Sequence, residues 1–209
     1  MSDHDPRGQE RRERAGISRR EILASSGAAA FLSGLTGARS AKAQDAAEPK
    51  IAWAGPRKHP VSLKLNGKPA KLAVEPRVTL LDALRDHLEL TGTKRICDRG
   101  ACGGCTVWLD GLPVNSCMTL AIDAEGRSVT TIEGLSQGGE LHPVQQAFVE
   151  EDALQCGFCT PGMVMSCAAL LAHNKSPSDA EIKEAVAGNL CRCGTYPHVF
   201  SACRKAAGQ

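Results

Sequence analysis

Ten cysteines in a chain of 209 residues restrict the fold more than any other feature, because eight of them fall into two sets with regular spacing. The first set comprises Cys97, Cys102, Cys105 and Cys117. The second set comprises Cys156, Cys159, Cys191 and Cys193. Four cysteines in a short segment commonly hold a zinc ion or an iron-sulfur cluster, so each set predicts one metal centre.

The first set has the four-then-two spacing of plant-type 2Fe-2S ferredoxins over its leading cysteines. Gly100, Gly103 and Gly104 suit a loop that must turn sharply and bring backbone N–H groups toward sulfur. Zinc is the nearest alternative, but it usually takes CxxC pairs or histidine, and no histidine lies between Cys97 and Cys117. The spacing therefore favours a 2Fe-2S cluster.

The second set joins a CxxC pair, Cys156 and Cys159, to a CxC pair. A CxC pair is less common in zinc sites, although spacing alone leaves structural zinc as an alternative here. Cys167 and Cys203 fall outside both sets and are interpreted as buried packing residues.

Periodicity predicts strands first and helices afterwards, which is an α+β fold. A hairpin is expected over residues 61–74 with its turn at Asn66 and Gly67, then a helix capped by Thr79 and stopped by Gly92. Two short strands follow, the second reaching Cys117. Beyond a connector at 129–135, helices are predicted at 143–151, at 161–172 with Thr160 as N-cap, at 178–188 with a capping box, and at 197–205.

The N-terminal sequence is typical of an export signal. A basic stretch from Arg11 to Arg20 precedes an apolar run, and Ala41, Lys42 and Ala43 supply an AxA cleavage pattern. The motif around Arg19 and Arg20 resembles a twin-arginine signal, so residues 1–43 are predicted to direct the chain to the periplasm and 44–60 to form a linker. A stable membrane anchor and a disordered basic tail are the weaker alternatives.

The charge distribution and the motifs restrict which functions this chain can have. Residues 1–43 carry eight of the 25 basic and five of the 23 acidic residues, so the remainder is almost neutral and does not favour nucleic acid as a partner. No GxGxxG flavin fingerprint occurs, and no nucleophile and base pair can be assigned, so no catalytic residue is predicted.

Longer strings, among them TGTKRICDRGACGGCTV, QCGFCTPGM and GNLCRCGTY, resemble the small iron-sulfur subunit of the xanthine oxidase family of molybdenum hydroxylases over residues 61–205. The resemblance implies a ferredoxin-like β-grasp domain at 61–136 and a four-helix-bundle 2Fe-2S domain at 137–209. It implies that the first set holds a 2Fe-2S cluster facing a flavin and that the second holds one facing the molybdenum cofactor. It also implies that Gln155 hydrogen-bonds the pterin and that the Cys193 sulfur lies close to it.

The same resemblance implies partners and cofactors outside this chain. A large molybdopterin-binding subunit would oxidise the substrate, and an FAD-binding subunit or a haem-bearing cytochrome c would accept the electrons. Ile96 stands where many members have glycine, and GTY replaces the commoner TGY after Cys193. The GTY variant and the export signal are similar to periplasmic aldehyde oxidoreductases and isoquinoline oxidoreductase. The alternative is a free-standing two-cluster ferredoxin that shuttles between partners.

Overall fold

The structure is a computed structural model that describes residues 55–136 and 138–209. The predicted export signal at 1–43 and most of the predicted linker lie outside the described residues. Among the described helices, none has both the length and the hydropathy to cross a membrane.

A five-stranded sheet forms the first part of the described chain, with strand order β2-β1-β5-β3-β4. Its strands are β1 (His59–Leu65), β2 (Lys68–Val74), β3 (Thr106–Leu109), β4 (Leu112–Asn115) and β5 (Ser128–Thr130). The predicted hairpin is confirmed: β1 and β2 are antiparallel and turn at Asn66 and Gly67, whose φ angles are 48° and 82°. Asparagine and glycine are the residues that tolerate this left-handed turn.

A short helix packs on the sheet and carries the chain toward the first cysteines. This helix, α1, spans Leu80–Asp82 and continues as a π-helical segment, Ala83–His87. Thr79 caps it as predicted, since its side chain accepts a hydrogen bond from the Asp82 N–H. The predicted strand to Cys117 is shorter than expected, because β4 ends at Asn115 and a 3₁₀ turn, Ser116–Met118, carries that cysteine.

Four helices make up the described residues 138–209: α2 (Pro143–Glu150), α3 (Thr160–His173), α4 (Asp179–Ala185) and α5 (Tyr196–Ala206). The capping box predicted for α4 is present between Ser178 and Glu181. The prediction that Thr160 is the N-cap of α3 is wrong. Cys159 occupies the N-cap position with no side-chain hydrogen bond, and the Thr160 hydroxyl is a buried atom without a partner.

The sheet and the helices are in direct contact through β3 and α3. The Trp108 indole N–H donates to the Met165 carbonyl oxygen over 2.9 Å. Trp108 also packs against the helical core, whose largest fully buried side chains include Phe148, Met163 and Met165. Buried indole groups normally need such a partner, so this bond fixes where α3 crosses the sheet.

Candidate metal centres

The first cysteine set lies in a loop between α1 and β3 and in the 3₁₀ turn after β4. Cys102, Cys105 and Cys117 are buried, and Cys97 is partly exposed. Their thiols adjoin in two pairs, Cys97 with Cys102 and Cys105 with Cys117, and in each pair one thiol shifts the pKa of the other. The structure therefore brings together all four residues of the predicted set.

Backbone N–H groups point at these sulfurs. The Gly100 N–H donates to the Cys117 Sγ over 3.2 Å, and the Arg99 N–H donates to the Cys97 sulfur. Gly100 has a φ of 71°, which lets the loop fold back toward sulfur without a steric penalty. Such donors stabilise negative charge on sulfur and raise the potential of a bound cluster.

Within the first set, the pKa of Cys97 is lowered and the pKa of Cys117 is raised. The backbone N–H of Arg99 is the main cause that lowers the pKa of Cys97 to about 7. Burial is the main cause that raises the pKa of Cys117 to about 11, and the neighbouring Cys105 thiol adds to the shift. Metal binding requires thiolates, so a bound cation must displace the protons that burial retains.

The second cysteine set lies in the two turns that flank the helices. Cys156 and Cys159 immediately precede α3, and Cys191 and Cys193 precede α5. Their thiols also meet in pairs, Cys159 with Cys191 and Cys156 with Cys193. Cys156 and Cys193 are exposed, whereas Cys159 is buried, so one side of this site is open to the surface.

Hydrogen bonds hold Cys191 in place. Its backbone N–H donates to the Tyr196 hydroxyl over 2.8 Å, and its Sγ lies 3.2 Å from the Thr195 Oγ1. Burial acts to raise its pKa, but hydrogen bonds from the Thr195 side chain and backbone outweigh it and lower the pKa to about 7. Burial instead raises the pKa of Cys159 to about 12.

The two cysteine loops touch each other directly. The Leu190 N–H donates to the Cys102 carbonyl oxygen over 2.9 Å, and the Asn189 side chain donates to the Gly103 carbonyl oxygen over 2.9 Å. A Cβ atom on Gly162 of α3 would collide with that Gly103 oxygen. Sequence reasoning missed this contact, because the bonded residues are far apart in the chain and follow no local pattern.

Gln155 lies on the open side of the second site. Its side chain is exposed, and so are those of its neighbours Cys156 and Phe158. Cys193 is exposed as well, and its thiol meets that of Cys156. The two residues predicted to face the pterin are therefore both accessible to a partner.

Cys167 on α3 and Cys203 on α5 are fully buried, as predicted for packing residues. Their thiols are close enough for a hydrogen bond between them, which the sequence did not indicate. They pack in the helical core, which Cys159 of the second set also joins.

The donor sets fit diiron clusters. Among the described residues, no three His, Cys, Asp or Glu side chains converge as they would on one metal ion. Each set instead presents two thiol pairs, which is the arrangement needed when four thiolates are shared between two irons. Backbone N–H donors to the sulfurs also suit a sulfur-rich group within the described loops.

Comparison with protein families gives two matches that cover the described cysteines. Residues 63–127 match a 2Fe-2S iron-sulfur cluster binding domain. Residues 131–204 match a [2Fe-2S] binding domain.

Similar proteins are subunits of oxidoreductases. The chain is 43% identical over 179 residues to the aldehyde oxidoreductase iron-sulfur-binding subunit PaoA of Escherichia coli strain K12, a match covering 78% of each chain. It is 48% identical over 149 residues to the nicotine 6-hydroxylase small subunit of Paenarthrobacter nicotinovorans, covering 71% of this chain and 90% of the relative.

Solved structures agree with the sequence matches. A chain of quinoline 2-oxidoreductase from Pseudomonas putida 86 is 48% identical with a TM-score of 0.70, and the match covers 72% of this chain and 93% of that one. Aldehyde oxidoreductase from Desulfovibrio gigas is 39% identical with a TM-score of 0.69 over 72% of this chain, but the match covers only 17% of that longer chain. The chain therefore belongs to the iron-sulfur subunits of the xanthine oxidase family of molybdenum hydroxylases.

Proposed function

We propose that this chain carries electrons from a large molybdopterin-binding subunit to an FAD-binding subunit or a cytochrome c. Two separate sets of four thiols, each served by backbone N–H donors, are the observation that carries the proposal. A 2Fe-2S cluster supplies a site that accepts and releases one electron at a time. No catalytic residue is assigned to this chain, so the substrate is oxidised on the large subunit.

We infer that each pair of adjoining thiols would share one iron. Cys97 and Cys102 would bind one iron of the first cluster, and Cys105 and Cys117 the other. In the second set the corresponding pairs are those that the structure brings together, Cys159 with Cys191 and Cys156 with Cys193.

The open side of the second site is proposed to face the molybdenum cofactor. Gln155 and Cys193 are exposed there, which is what contact with a pterin on another subunit requires. Their assignment rests on the resemblance of QCGFC and CRC to the family motifs. In this proposal residues 61–136 form the β-grasp domain, and residues 137–209 form the four-helix bundle.

Substrate class and location are part of the same proposal. The similar proteins are named for aldehydes and for nitrogen heterocycles such as nicotine and quinoline, so the substrate is proposed to belong to one of these classes. The paired arginines and AxA pattern of residues 1–43 support export to the periplasm by the twin-arginine route.

Cysteine substitutions test the proposal in the purified complex. Native protein is expected to contain about four non-haem irons per copy of this chain and to bleach on reduction with dithionite, as two 2Fe-2S clusters would. Cys105→Ala and Cys159→Ala are each expected to remove about two irons and a different EPR signal. Fewer than about three irons in properly matured native protein would overturn the proposal.

Cys167→Ala is the matched control, because it removes a cysteine of the same chain that belongs to neither set. Its iron content is expected to equal that of the native protein. Some loss of stability is expected from the small cavity left in the core. Loss of a cluster in this variant would show that iron content follows folding rather than thiol ligation.

A further inference from the structure

Asn189 lies where the two cysteine loops meet. Its side chain is almost fully buried at 4% exposure. The Nδ2 donates to the carbonyl oxygen of Gly103 over 2.9 Å, and Gly103 lies between two cysteines of the first set. Leu190, the next residue, donates its N–H to the Cys102 carbonyl oxygen and precedes Cys191 of the second set.

The orientation of the Asn189 side chain is fixed by its other partners. Ser166 on α3 donates its hydroxyl to the Oδ1 over 2.8 Å, so the amide nitrogen must face Gly103. The Asn189 carbonyl oxygen accepts a hydrogen bond from Tyr196, the residue that also accepts from the Cys191 N–H. Asn189 is thus tied to α3 and to both loops at once.

The Gly103 carbonyl does not depend on Asn189 for its own hydrogen bonding. The Thr106 N–H donates to it over 3.1 Å, and the Thr106 hydroxyl donates over 2.7 Å. These two bonds lie within the first loop, whereas the bond from Asn189 crosses between the loops. Removing the Asn189 amide therefore weakens the link between the sites without leaving this oxygen unpaired.

We infer that Asn189 is a positioning residue that fixes the separation and relative orientation of the two cysteine sets, and thereby the interaction between the centres they hold. The inference rests on the proposed function. It concerns the geometry between the sites and not the retention of either cluster.

EPR spectroscopy of the complex tests the inference. When both 2Fe-2S centres are reduced, each is paramagnetic, and their magnetic interaction splits the signals according to separation and orientation. Asn189→Ala is expected to retain about four irons and to change or lose this splitting. The rate at which an electron equilibrates between the two centres after partial reduction is expected to fall.

Ser116→Ala is the matched control, because it removes a buried side-chain bond to a backbone oxygen, that of Cys105, within the first site, and that oxygen keeps its bond from the Ser116 N–H. It is expected to leave the splitting unchanged. Full iron content with native splitting in Asn189→Ala would overturn the inference, and so would an equal change in Ser116→Ala. Iron below about three per chain in native protein would instead overturn the proposed function.

If Asn189→Ala does not assemble into the complex, Ser166→Ala tests the inference in its place. It removes the bond that orients the Asn189 amide but leaves the asparagine in place. This variant is expected to keep its full iron content and to change the EPR splitting less than Asn189→Ala does. Native splitting in this variant would contradict the inference.

Discussion

Gly162 is the residue whose replacement the structure most clearly opposes. An alanine in a helix is normally more favourable than glycine by about 1 kcal/mol. At Gly162, however, the added Cβ would collide with the backbone oxygen of Gly103, and backbone cannot rotate away as a side chain does. Overpacking of this kind costs about 1–3 kcal/mol, so Gly162→Ala is expected to destabilise the protein and lower its iron content.

Gly188→Ala is the control for this prediction. It lies beside the same loop, and a Cβ there would meet no atom within 4 Å. Thermal unfolding of the assembled complex is the measurement. A loss of about 1 kcal/mol lowers the melting temperature of a domain of this size by roughly 2–4 °C. Equal melting temperatures for Gly162→Ala and native protein would show that the loops move apart freely.

Residue types and spacing predicted which thiols come together, but not the contacts between the two cysteine loops. The two thiol sets meet as expected, because the spacing of cysteines in a loop determines which sulfurs can converge. No comparable pattern in the sequence indicated the roles of Asn189 and Gly162. Their partner is Gly103, which is distant in sequence, and a glycine or asparagine carries no mark of a long-range contact.

Helix α2 contains a cap that depends on pH. The His142 Nδ1 accepts a hydrogen bond from the Val144 N–H over 3.3 Å, which requires a neutral ring. Burial lowers the pKa of His142, and the positive charge of Lys175 lowers it further. The unfolded chain therefore binds a proton more readily than the folded chain.

The sign of the effect follows from the lowered pKa. The stabilisation is complete above the unfolded pKa of about 6.5 and is lost as pH falls below it toward the folded pKa. His142→Asn keeps a good N-cap residue without a titrating ring, so its stability is expected to fall less between pH 8 and pH 5.5. Urea unfolding at both pH values measures the difference.

His173→Asn serves as the comparison, because it removes an exposed histidine at the end of α3. Its stability is measured at the same two pH values, as a His→Asn change outside the cap. If His142→Asn and native protein lose stability in parallel, the cap does not titrate as described.

Element types were predictable from the sequence, whereas several boundaries were not. The β1–β2 hairpin and the α4 capping box carried turn and cap residues that act locally, and both are present. The predicted start of α3 is one residue too late, because a Thr-Pro pair normally supplies the N-cap and the first residue of a helix. Here the turn that holds Cys159 already has helical backbone, so the helix begins earlier.

At the scale of the whole molecule, the described surface carries several large exposed apolar side chains. Val149 and Leu154 line a shallow groove with Pro161 and Ile132, beside the turn that holds Cys156 and Cys159. Phe158 within that turn is 58% exposed. Exposed apolar residues around a site suit a surface that a partner subunit covers. The exposure of these residues depends on how the helices pack.

Phe158→Ser is expected to weaken association with the large molybdenum subunit. An aromatic side chain buried in an interface commonly contributes about 2 kcal/mol or more, which corresponds to a dissociation constant raised roughly 30-fold. Iron content and stability should stay near native values, because the ring is mostly exposed in this chain. Affinity purification of the complex with quantification of the large subunit, followed by titration of separated subunits, measures the change.

Leu112→Ser is the matched control for the interface. Leu112 is 59% exposed, close to the value for Phe158, but it begins strand β4 of the sheet and belongs to neither turn of the second set. If both variants weakened association equally, the effect would reflect general loss of apolar surface. A selective loss in Phe158→Ser would place the partner at the open side of the second site, where Gln155 and Cys193 lie, and would thereby orient the subunit in the complex.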